Sequence, residues 1–220
     1  MSGASLNPLQ LRVLELLADV QPPWTLTGGA ALVAVHLGHR VTRDLDLFWR
    51  SLDRLESVSR SVQEALLNHG MTVTVVQTGT TFERLAVREG SETVILDLIA
   101  ETVASIEPPM MVVLGQARIQ VDTMHEILVN KLCALLGRME LRDLEDVRVL
   151  LETGGKLEQA LADAPRKDGG FSALTLAWSL YGLPVSRLAH ALGWPDAETT
   201  RLEQFRVDFI ELLTAAAAPD

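Results

Sequence analysis

"GHRVTRDLDLFW", residues 38–49, places Asp44 and Asp46 two apart in a run otherwise made of Leu, Phe and Trp. Asp is a poor resident of any strand, so the pair calls for a reason. Strand side chains alternate faces, so both carboxylates point one way while Leu45 and Leu47 point the other. At roughly 3.3 Å per residue their Cα atoms lie about 6.5 to 7 Å apart, which lets the carboxylates converge on one divalent ion or bracket two. A solvated strand end paired with Arg40 or Arg43 is the plainer reading of the same pattern.

A third acid, Asp97, lies within "TVILDLIA" (93–100), which reads as a central strand with both faces covered. An isolated carboxylate is costly to bury, so a cation, a donor or an open cleft is expected beside it. A strand-end acid that reaches solvent is the alternative. If the two strands are neighbours, three carboxylates meet, and such hard oxygen ligands suit magnesium or manganese with positions left for water and a substrate phosphate. Upstream, "WTLTGG" (24–29) is a short strand ending in Gly28 and Gly29, and "AALVAVHLG" (30–38) a helix closed by Gly38. Glycines there let the first N–H groups of the helix face an anion, although a tight strand-to-helix turn needs them as well. A phosphate cradle beside a metal-binding strand is what transfer from a nucleoside triphosphate requires.

The remaining chain has two textures. Asn7 as N-cap and Pro8 in the first turn start an amphipathic helix in "NPLQLRVLELLADV". Residues 52–69 read as a helix, and "MTVTVVQT", "FERLAVRE", "ETVILDLIA" and "ARIQVD" as strands. This predicts an α/β (α+β) domain around one mixed sheet over residues 1–121. Residues 122–220 read as a helical domain, with helices near 123–137, 142–153, 156–163, 172–181, 185–192 and 196–214. "PRKDGG" (165–170) is its clearest loop, and the "AAAAPD" tail is expected to fray.

Composition narrows the class. The chain has 220 residues, 48% of them apolar, and no apolar run near the roughly 18 that span a bilayer. The N-terminus lacks a basic leader and a continuous apolar stretch, so the expectation is a cytoplasmic protein without membrane attachment. A net charge of −10 argues against broad coating of nucleic acid. Cys133 is the one cysteine and reads as a buried thiol.

"TGGAALVAVHLGHRVTRDLDLFW" (27–49) resembles the first motif of the nucleotidyltransferase (DNA polymerase β-like) superfamily, in particular of the AbiEii/AbiGii toxin nucleotidyltransferase family. Arg40, Thr42, Asp44, Leu45, Asp46, Leu47 and Phe48 fit that motif in order, while Ala30 stands where Thr is frequent. "NKLCALLGRMELRDLEDV" (130–147) resembles a second family element through Lys131, Ala134, Arg138, Arg142, Asp143 and Asp146. The two matches cover some forty residues. Read from the residues alone, Thr123 with Glu126 fits a capping box, and Lys131 sits in a mostly apolar setting that draws its ammonium toward a cleft. It is one of three Lys beside sixteen Arg, and a compact charge suits a triphosphate oxygen. Asp143 and Asp146 share a helix face, with Arg142 to Asp146 a possible i, i+4 pair.

The resemblance implies a metal-dependent nucleotidyltransferase that moves a nucleotide from an NTP to an acceptor hydroxyl. The active site would lie in a cleft between the two domains. Asp44 and Asp46 would hold magnesium (or manganese) on the triphosphate. Asp97 would complete a second metal position and assist deprotonation of the acceptor. Gly28, Gly29, Arg40 and Thr42 would approach the nucleotide, and Lys131 would neutralise the departing pyrophosphate, with Asp143 and Asp146 nearby. It further implies an RNA acceptor such as a tRNA 3′ end and a cognate antitoxin protein. NMP transfer (AMPylation) to protein or a small molecule, and a non-catalytic nucleotide-binding module, are the alternatives.

Other residues carry less. His36 and His39 have metal-ligand spacing but no third partner. Trp24, Trp178 and Trp194 read as packing residues. Arg84 and Arg88 are unassigned partners for phosphate or for acids. Arg118, Arg138, Arg142 and Arg148 could form a local basic edge for RNA.

Overall fold

Asn7 begins the first helix as its chemistry dictates: its side chain accepts from the Gln10 N–H while the Gln10 side chain accepts from the Asn7 N–H. In the computed structural model, which describes residues 6–37, 42 and 44–217, helix α1 then runs over Pro8–Leu17. The chain divides into two compact units, Met1–Thr123 and Met124–Asp220.

The first unit is built on one mixed sheet of seven strands. They are β1 (Thr25–Thr27), β2 (Asp44–Arg50), β3 (Thr72–Thr78), β4 (Phe82–Glu89), β5 (Glu92–Glu101), β6 (Met110–Leu114) and β7 (Ala117–Val121), in the order β3-β4-β5-β2-β1-β7-β6. Helix α2 (Gly28–Ala31) follows β1 directly, and Leu32–His36 continues it as a wider π turn. Helix α3 (Glu56–Asn68) returns the chain from β2 to β3. β2 runs parallel to β5 and antiparallel to β1. One face of the central strands is fully buried, with Leu45, Leu47 and Trp49 of β2 beside Leu96 and Leu98 of β5. The Trp49 and Trp24 indoles keep their hydrogen bonds there, to the carbonyls of Pro22 and Leu17.

β5 is central, as its sequence predicts, but only one of its faces is fully covered. Ile95 and Ile99, on the other face, are half-buried. β6 was not expected from the sequence. Its Met110, Met111 and Val113 are exposed, so the run "MMVVL" shows no inside–outside alternation. The signal lies instead in the turn that follows, where Gly115 with φ +59 is first in a two-residue hairpin joining Leu114 to Ala117.

The second unit is helical: α4 (Met124–Arg138), α5 (Leu141–Glu152), α6 (Leu157–Lys167), α7 (Ala173–Tyr181), α8 (Val185–Ala191) and α9 (Asp196–Ala216). α4 packs on α5, α6 and α7, and α9 on α5, α7 and α8. The loop expected at residues 165–170 begins later, because α6 continues through Pro165 to Lys167. Tertiary contact overrides the proline signal: Ala164 is fully buried, and the Lys167 ammonium lies 2.6 Å from the Glu126 carboxylate on α4. No helix among the described residues is long and apolar enough to cross a membrane.

Candidate functional site

The three aspartates of the first unit share the half-open face of the sheet. Asp46 on β2 is directly opposite Asp97 on β5, and Asp97 is directly opposite Arg84 on β4. Thr27 of β1 faces Asp46 from the other side, so Arg84, Asp97, Asp46 and Thr27 form one row across four strands. Adjacent strands lie about 4.8 Å apart, and residues in register point to the same face. Asp44 stands two residues before Asp46, on that face and in register with Ile95.

Arg84 takes both oxygens of Asp97. Its Nε donates to Oδ1 at 2.7 Å and its Nη2 to Oδ2 at 2.7 Å, the fork-to-fork geometry of a strong charge-assisted pair. The hydrogen bond to Asp97 is the main influence on the guanidinium. With the attraction of Asp97, Asp44 and Asp46, it holds the group's pKa above its ordinary value despite partial desolvation. Arg84 therefore sits in the field of all three acids. The sequence contains a signal for this pairing. Gly90 and Ser91 form a two-residue turn that sets Glu89 opposite Glu92, and counting back five residues on each strand sets Arg84 opposite Asp97.

Gly28 is shaped around Asp46. It has φ +62, and a Cβ there would lie 2.4 Å from Asp46 Oδ2. The α2 N-terminus that it opens receives no side-chain cap from Thr27, and Gly29 is buried behind it. Thr42 is buried just before β2 and donates its hydroxyl to the Asp44 carbonyl at 3.2 Å. Arg40, Arg43 and His39 lie outside the described residues. The donor set fits a hard divalent cation in kind: aspartate oxygens on one half-open face, with Asp46 Oδ2 seated where a Cβ on Gly28 would lie. As placed, Asp97 is engaged by Arg84, and among the described residues no group of three His, Cys, Asp or Glu gathers closely enough to hold an ion.

Lys131, Asp143 and Asp146 come together within the second unit. The Lys131 ammonium lies 2.7 Å from Asp143 Oδ1 and 2.9 Å from Asp146 Oδ2. Arg138 adds a second fork on Asp143, through Nε at 2.6 Å and Nη2 at 2.9 Å. Both aspartates are essentially fully buried and Lys131 is 8% exposed. Burial pulls the lysine pKa down, yet Asp146 and Asp143 outweigh it and the net shift is upward. Burial likewise pushes Asp143 up, and Arg138 with Lys131 brings it below its ordinary value. The ammonium expected in a cleft is thus held by two carboxylates that tie α4 to α5.

The sequence profile described as "Nucleotidyl transferase AbiEii toxin, Type IV TA system" matches residues 12–214. The chain belongs to this family. None of the curated protein sequences matches it. Among solved structures it is similar to a candidate nucleotidyltransferase from Helicobacter pylori, at 21% identity and a TM-score of 0.54 over 96% of both chains. It is also similar to JHP933 from Helicobacter pylori, at 21% identity and a TM-score of 0.52 over 96% of this chain and 93% of that one. At such identities the likeness is one of fold.

Several expectations for this AbiEii-family chain change with the structure. Two of the four arginines of the basic edge are engaged, Arg148 buried between Glu145 and Glu152 and Arg138 paired with Asp143, while Arg118 and Arg142 are exposed. Trp178 is not a packing residue but 80% exposed, because α7 buries Leu176, Ala177 and Leu180 on its other side. Cys133 is half-buried, its thiol directed at the Ala164 carbonyl. His36 lies on the π turn with Nε2 2.9 Å from the Asp122 carbonyl oxygen, which accounts for it without a metal.

Proposed function

We propose that this AbiEii-family chain transfers a nucleoside monophosphate from an NTP to an acceptor hydroxyl on RNA, such as a tRNA 3′ end, and acts as the toxin of its pair. The observation that carries the reading is the direct opposition of Asp46 and Asp97 on parallel strands, beside a Gly28 contoured to Asp46. Asp44 and Asp46 would hold Mg2+ or Mn2+. The ion would supply Lewis-acid charge at the triphosphate oxygens when bound. Asp97, once released by Arg84, accepts the proton of the attacking hydroxyl. The acceptor oxygen bonds to the α-phosphorus, and the bond from that phosphorus to the pyrophosphate oxygen breaks. The N–H groups opened by Gly28 and Gly29, which Thr27 does not cap, would face the phosphates, and Thr42 would hold the approach to Asp44 through its bond to the Asp44 carbonyl. Membership of a toxin–antitoxin family supports a cognate antitoxin protein as its partner.

The engagement of Arg138 and Arg148 by carboxylates favours a second reading, NMP transfer to protein or to a small molecule. One experiment separates the two. The protein is incubated with magnesium and each α-labelled NTP in the presence of total tRNA, protein or small-molecule fractions. Label on RNA, absent with Asp46→Ala, is the expected result, and label on protein or small molecules would establish the second reading. Nucleotide binding with no labelled product from any fraction would reduce the chain to a binding module.

A further inference from the structure

Arg84 has no part in the transfer just described except to stand in its way. Its guanidinium covers both oxygens of the one carboxylate that faces Asp46 across the sheet. The two partners differ in freedom. The Asp97 side chain is 8% exposed and fixed on the central strand, whereas that of Arg84 is 40% exposed on a long stem. Its guanidinium carbon lies 5.7 Å from the Phe82 ring while the fork on Asp97 is made. An aspartate has two lone pairs on each of two oxygens, and a fork that takes one from each oxygen halves what Asp97 can offer a metal. A guanidinium and a divalent cation on one carboxylate would also repel each other at short range.

We propose that Arg84 is a latch on Asp97. It balances the three aspartates while the site is empty of nucleotide and keeps the second metal position closed. The arrival of a triphosphate, whose oxygens suit the same fork, draws it away and frees Asp97. Arg84 is in this sense a positioning residue. It acts through Asp97 and makes the site complete only when substrate is present. The inference rests on the metal-site reading given above.

Titration of the whole protein with Mn2+ alone, followed by electron paramagnetic resonance, tests both and tells them apart. The wild type is expected to bind one Mn2+ without nucleotide and two with a non-hydrolysable NTP analogue. Arg84→Met is expected to bind the second Mn2+ without nucleotide, at least tenfold tighter than the wild type does. Adding Asp97→Asn to that variant should remove the second ion, and Asp46→Ala should remove the first. Arg84→Lys keeps a charge but loses the fork, so it should fall between wild type and Arg84→Met. It also serves if Arg84→Met fails to fold. One ion in wild type and the same affinities in the Arg84 variants would overturn the latch and leave the metal site intact. Two ions in the wild type without nucleotide would do the same. No Mn2+ binding in any form would overturn the metal site and the latch together.

Discussion

Gly28 meets two demands at one Cα, a positive φ and the absence of a Cβ beside Asp46. Alanine there adopts a left-handed conformation at a cost of about 1–2 kcal/mol and drives its methyl into the Asp46 carboxylate. Gly28→Ala is therefore expected to lose most transfer activity while denaturant unfolding reports a stability loss of only about 1–3 kcal/mol. A variant as active as wild type would show that Asp46 need not keep its position. Lys131 presents the opposite balance. Lys131→Met leaves Asp146 and Asp143 buried, with Arg138 still on Asp143, so a destabilisation of about 3–5 kcal/mol is expected in urea unfolding at pH 7. The pH dependence has a definite sign. Asp143 is lowered in the folded state, so its contribution is present above the unfolded carboxylate value of about 3.9 and fades as pH falls through the folded one. Lys131 is raised, so its contribution is present below about 10.4 and fades as pH rises through its folded value. The gap in stability between wild type and Asp143→Asn should accordingly narrow in acid, which unfolding at stepped pH would measure.

At the level of elements, β2 and β5 were legible because each interrupts an apolar run with acids on one face only. The opposition of Asp46 and Asp97 was not, since parallel pairing across some fifty residues is set by the path of the whole sheet and by no local signal. Arg84 lay between these cases. The hairpin register fixed its partner, but only once Gly90 and Ser91 were recognised as a two-residue turn. The first half of the loop assigned to residues 165–170 is helical for a physical reason that yields its own test. Pro165 sits inside α6 and cannot donate to the preceding turn, yet burial of Ala164 and the Lys167–Glu126 pair hold the helix around it. Pro165→Ala restores a backbone hydrogen bond and removes a steric conflict, offset in part by the greater freedom of the unfolded chain. A net gain of about 1–2 kcal/mol is expected, read as a higher midpoint in thermal unfolding.

Across the whole molecule, 29 acidic residues face 19 Lys and Arg, and the structure shows where much of that positive charge is committed. Arg50 pairs with Glu101 and Asp122, Arg84 with Asp97, Arg138 with Asp143, Arg148 with Glu145 and Glu152, and Arg206 with Glu203. Each arginine held by a carboxylate is a cation that an RNA phosphate can recruit only by breaking an existing pair. Of the expected basic edge, Arg118 and Arg142 are exposed and outside these pairs, so that edge offers RNA one or two phosphate contacts without breaking a pair, and a binder with so few releases few counterions. If tRNA is the acceptor, its affinity should fall no more than about tenfold between roughly 50 and 200 mM salt, the behaviour of one or two phosphate contacts. Fluorescence anisotropy with labelled tRNA across that range measures the slope directly. A fall of about a thousandfold or more would require six or more phosphate contacts, and hence that several of these arginines leave their acids on binding. A shallow slope with transfer to RNA would instead place recognition in the shape and chemistry of the RNA 3′ end, where the nucleotide is added, and not in its backbone charge.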